Sequence, residues 1–209
     1  MKTEDLIRDL ASRAVPIEPL AAPAVRAFAW SGVAIACAAA GMLVFKTRSD
    51  VGALVHEPGF LGMAAVALSV AWAAATASLV MAVPGAERSP LLRATVVVLT
   101  GLWTVVLASA VVRAGHGFAL AADWPICFIR VLAIGLVPAI VLVGMLRRAA
   151  PLRPGWTAAL AAAAAMATGA LAIQFICPLN DPAHALLGHL GPVLVMSWVG
   201  SIAARRVLK

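Results

Sequence analysis

The stretch ICFIRVLAIGLVPAIVLVGML, Ile126 to Leu146, runs for 21 residues with a single charge, Arg130. A helix of that length rises about 30 Å, the thickness of a bilayer's hydrocarbon core. Its apolar residues do not alternate with polar ones as in a membrane barrel strand, so the segment reads as a spanning helix whose backbone satisfies itself internally. Five more runs share this character: Ala27 to Phe45, Phe60 to Val83, Ala94 to Val112, Trp156 to Ile176 and Ala185 to Ala204. The composition agrees, with 63% hydrophobic residues, 12% charged residues and a mean hydropathy of +1.00. The expectation is an all-α polytopic membrane protein. Residues 1–26 form a cytoplasmic tail, 27–204 a six-helix membrane bundle, and 205–209 a basic cytoplasmic end.

The charges orient the bundle. With the N-terminus in the cytoplasm, that side collects twelve lysines and arginines, among them Arg8, Arg26, Arg88, Arg147 and Arg205. The other side receives Lys46, Arg48 and Arg113. This asymmetry is the positive-inside pattern, and six spans return the C-terminus to the cytoplasm. Because the basic residues border spans instead of forming a patch, the net charge of +7 gives no reason to expect direct nucleic-acid binding. Trp30, Trp124 and Trp156 stand at run ends as interface anchors, while Trp72, Trp103 and Trp198 lie mid-span and are expected to pack between helices.

Cys127 opens the fourth run and Cys177 ends the fifth, equidistant from the short loop that joins them, so an antiparallel pair brings both thiols to one depth on the outer side. A disulfide is possible if both side chains face inward. Arg130 and Gln174 sit one turn from these thiols on the same helix faces, and a guanidinium near a thiol favours the reactive thiolate. Thiol sensing is the favoured role of the pair, with packing or a structural disulfide as the alternative. Arg130 could equally snorkel to headgroups, and Gln174 could cross-link helices.

All four histidines, His56, His116, His184 and His189, fall on the outer side or near it. His184 and His189 follow a turn, NDP, in which Asp181 can cap the next helix. Five residues apart, they stand about 140° out of register on a regular helix, which argues against their sharing one metal. One of them could still join the two thiols as a ligand, but interfacial hydrogen bonding is the favoured role. Cys37, among small residues in mid-span, is expected to pack as a small hydrophobe.

The tail MKTEDLIRDLASRAVPIEPLAAPAVR begins with an amphipathic pattern in which Leu6, Ile7, Leu10 and Ala14 share a face, ended by Pro16. A helix this short is marginal alone, so its apolar stripe calls for a surface, either lipid headgroups or a protein groove. The mixed charges beside the stripe give anionic lipid little to attract, which favours protein.

The MKTEDLIRDLA opening, the proline-punctuated tail, the six spans, the cysteine followed by Arg130 and the CP pair before an acidic loop resemble the negative regulator of sigma-F family (NrsF), bacterial inner-membrane anti-sigma factors. The resemblance covers essentially the whole chain. It implies a regulator, not an enzyme, with no cofactor. The tail would hold an extracytoplasmic-function sigma factor at the membrane, and Cys127 and Cys177 would be needed to respond to oxidative or heavy-metal stress. The loop histidines and Cys37 have no place in that pattern. Two other functions compete. A membrane thiol oxidoreductase would need a vicinal pair plus a relay pair, and the chain has no C-x-x-C motif. A small transporter would need midplane ionisable groups, which these spans do not carry.

Overall fold

The computed structural model of the protein describes residues 3–13, 19–115 and 123–208. Among them the chain is helical throughout, without a strand: α1 (Thr3–Ser12), α2 (Pro23–Phe45), α3 (Val51–Leu54), α4 (Pro58–Met81), α5 (Pro90–Ala114), α6 (Trp124–Arg147), α7 (Pro154–Gln174), α8 (Pro182–His184), a six-residue π-turn (Ala185–Leu190) and α9 (Gly191–Val207). Six helices are long and apolar enough to span a membrane, with α8, the π-turn and α9 together forming the sixth.

The helices begin two to four residues earlier than hydropathy alone placed them, because prolines start them. Pro23, Pro58, Pro90, Pro154 and Pro182 each open an element. At a first helical position the missing N–H costs nothing and the fixed φ is already helical.

The core is built around α7, whose central window is 78% buried against at most 44% for any other span. It packs mainly on α9, α4 and α6. Its run TAALAAAAAMATGALA is nearly all small residues, which lets neighbouring backbones come close where lipid gives no hydrophobic incentive to associate. Two glycines fix the α6–α7 contact. A Cβ on Gly135 would meet the Ala165 carbonyl oxygen at 2.8 Å, and one on Gly169 would collide with the Val131 carbonyl oxygen. On the other flank, a Cβ on Gly200 would stand 3.0 Å from the Ala158 carbonyl oxygen, which seats α9 against α7.

Three tryptophan expectations are corrected. Trp30 is no interface anchor: it is 2% exposed and its indole N–H donates to the Pro138 carbonyl at 3.0 Å, tying α2 to α6. Trp198 does not pack between helices but is 67% exposed on the outer face of α9, where lipid is the natural neighbour of an aromatic ring. Trp103 is fully buried as expected, whereas Trp72 is exposed, edge-on to Phe28 of α2. Cys37 is half-buried.

Helix α1 buries nothing. Leu6, Ile7 and Leu10 are 40%, 61% and 61% exposed, and an Asp9–Arg13 ion pair of 2.9 Å marks the polar side. Ala14 and Pro16, expected to complete and end this helix, lie outside the described residues.

Candidate functional site

Cys127 lies in the first turn of α6, and Cys177 lies just past the end of α7. Antiparallel packing of the two helices brings them together: both are buried, both are free thiols, and their sulfurs lie within 4.8 Å of each other. The inward facing that spacing left open is thus settled by the glycine-fitted α6–α7 contact.

The histidines join them. The ligand atoms of Cys127, Cys177, His184 and His189 all lie within 4.8 Å of one another. Cys177 Sγ is 3.3 Å from His184 Nε2, and the two imidazole rings stand edge to face with centroids 5.4 Å apart. This overturns the register argument against His184 and His189 sharing one site, because the chain between them is not a regular helix. Asp181 caps the start of α8 by accepting the His184 backbone N–H at 2.8 Å, and the next six residues then widen into a π-turn. In a π-turn the backbone bonds run from i to i+5, so residues five apart sit one above the other. Gly188 lets this turn pack closely on α6. A Cβ there would stand 3.1 Å from the Trp124 carbonyl oxygen and 3.3 Å from the Cys127 Cβ.

Arg48, three residues beyond the end of α2, holds the loop that carries Cys177. Its side chain is buried, and all five N–H groups are used. Two go bidentately to Asp50, at 2.6 and 2.8 Å, and the rest to the Cys177 carbonyl at 2.7 Å, the Asn180 side-chain oxygen at 2.9 Å and the Pro178 carbonyl at 3.2 Å. The Arg48 backbone N–H adds a 3.0 Å bond to the Phe175 carbonyl. Sequence reading counted Arg48 only as an outer-side charge. The available signal was its place in KTRSD, an arginine two residues from an aspartate directly after a span. The guanidinium in turn holds the Asp50 carboxyl below the usual carboxylate range.

The predicted residues Arg130 and Gln174 fall nearby. The Arg130 guanidinium lies over the Phe45 ring, 5.3 Å from its centroid, linking α6 to α2. The Gln174 amide donates to the Met63 carbonyl at 3.4 Å, a cross-link between α7 and α4, while its oxygen is buried without a partner. His56 is exposed and outside the cluster, and His116 lies outside the described residues. Cys177 sits between two spans. The neighbouring Cys127 and His189 outweigh burial and hold its thiol below the ordinary range.

A cavity of about 490 Å³ opens beside the cluster, lined among others by Glu57, Met63, Gln174, Cys177, Asp181 and His189. The arrangement has the donors of a tetrahedral metal site and the proximity for thiol oxidation.

A family model described as NrsF, negative regulator of sigma F, matches residues 10–209. No curated protein and no solved structure matches the chain. With nearly its whole length inside that match, six helices able to span a membrane and its partner class given by the family, the chain belongs to the NrsF family of negative regulators of a sigma factor.

Proposed function

We propose that the protein is an inner-membrane anti-sigma factor whose N-terminal tail, in the cytoplasm, sequesters an extracytoplasmic-function sigma factor and lets it go when Cys127 and Cys177 react on the opposite side. The observation that carries the reading is the meeting of two buried free thiols at one end of the bundle. The positive-inside count supports an orientation with the cysteine end outward. An oxidant such as a peroxide takes two electrons and two protons from the pair, leaving a disulfide while the peroxide becomes water and alcohol. Drawing the sulfurs together moves the segment after α7, and Arg48 passes that movement to α2, which continues into the tail.

The tail has the means to hold a partner. Leu6, Ile7 and Leu10 are uncovered within the chain, and burying each is worth about 1.5–3 kcal/mol before ordering costs are subtracted. A grip of that size is weak enough for a modest shift to release. Leu6→Asp together with Leu10→Asp should abolish co-purification of the sigma factor from solubilised membranes. Unchanged co-purification would take the tail out of the mechanism.

A further inference from the structure

We propose that Cys127, Cys177, His184 and His189 form one four-coordinate site for a soft divalent cation of the zinc and cadmium class, with both histidines as ligands. The inference rests on the reading of the two thiols as a sensor and names what that sensor takes. Four side chains from α6, the segment after α7, α8 and the π-turn place their ligand atoms within 4.8 Å of one another, a spread small enough for one ion to gather. Two sulfurs with two imidazoles is a tetrahedral donor set suited to zinc-like ions, and an oxygen-seeking ion such as magnesium finds no such set here.

Two independent features point to a ligand. His189 Nε2 is buried with no hydrogen-bond partner, a cost that a structure ordinarily avoids. The adjoining cavity also brings Glu57, Asp181 and Met63 to its walls beside Cys177 and His189, with Arg48 there already paired to Asp50. Carboxylates attract a cation to the mouth, and a thioether is a soft donor along the way.

The charges balance when the ion is seated. Each thiol releases its proton to solvent, and two thiolates with two neutral imidazoles cancel the double positive charge. A neutral assembly avoids the penalty of burying a net charge at the edge of a bilayer. The π-turn is what makes the set complete, since it brings His189 beside His184, ring edge to ring face.

The test uses the full chain purified in detergent with reduced thiols and titrated with zinc chloride or cadmium chloride. The wild type should bind one cation per chain, and zinc-edge X-ray absorption should find two sulfurs at about 2.3 Å and two nitrogens at about 2.0–2.1 Å. His184→Gln and His189→Gln, which keep size and polarity, should each weaken zinc binding by more than about 100-fold, beyond the effect typical of outer-shell partners. A coordination sphere of sulfur without nitrogen, or zinc affinity unmoved by both histidine variants, would overturn the site. That failure is separable from failure of the sensor reading. If only the metal site is wrong, an oxidant still releases the sigma factor in a Cys127- and Cys177-dependent way. If the sensor reading is wrong, release ignores both cysteines.

Discussion

Arg48 is the side chain on which most of the site's geometry converges. A lysine there would keep the charge but lose the planar fork that reaches Asp50, Asn180 and two carbonyls at once. Arg48→Lys should therefore speed alkylation of Cys177 in reduced membranes several-fold and loosen the tail's hold on its partner without stress. Equal alkylation rates in the two proteins would mean that the loop stands without the clamp. The clamp should also survive mild acid. The Asp50 carboxyl is held below its usual range, so its contribution is present above the unfolded value and lost only as pH falls through the lower folded one. Legibility at this scale was uneven. Cys127, Cys177 and the Asp181 cap could be read from residue type and position, because the local chain determines them. The clamp by Arg48 could not, because all its partners except Asp50 lie about 130 residues away and only the fold brings them together.

Among the elements, α7 and the π-turn decide whether a site exists. The six spans were legible because hydropathy over twenty residues is a property of the segment itself, and their starts slipped only where prolines outrank hydropathy. The π-turn was not legible. A regular helix was the natural assumption for PAHALLGHLGP, and the close seating of Gly188 on α6 is a tertiary contact. Tryptophan positions misled for the same reason: depth along a span is local, while the face a ring presents is set by neighbours, as Trp30 and Trp198 show. The α6–α7 fit gives a direct test. Gly169→Val would drive a side chain into the Val131 carbonyl, costing about 1–3 kcal/mol if α6 yields. Oxidant-induced cross-linking of Cys127 to Cys177 should then fall sharply while the protein still inserts. Undiminished cross-linking would show that the glycine fit does not set the distance between the thiols.

At the scale of the whole molecule, the chain has two ends with different work. One end gathers Cys127, Cys177, His184, His189 and Arg48 into a buried cluster, and the N-terminal tail leaves an apolar stripe uncovered. Helix α2 spans between them, tied at one end by Arg48 to the cysteine loop, in its first half by Trp30 to α6, and at its start by Arg26, which donates to the Leu79 carbonyl of α4 at 3.4 Å. The proposed coupling of the thiols to the tail rests on this continuity, because a helix that translates as a rigid body carries its far end with it.

The central claim is that the state of the two thiols controls the tail's grip. Its most direct test is retention of the sigma factor on membranes carrying the wild type, Cys127→Ser or Cys177→Ser, measured before and after a thiol oxidant such as diamide. The wild type should lose its sigma factor on oxidation and both variants should keep theirs. Retention by all three, or equal loss from all three, would contradict it.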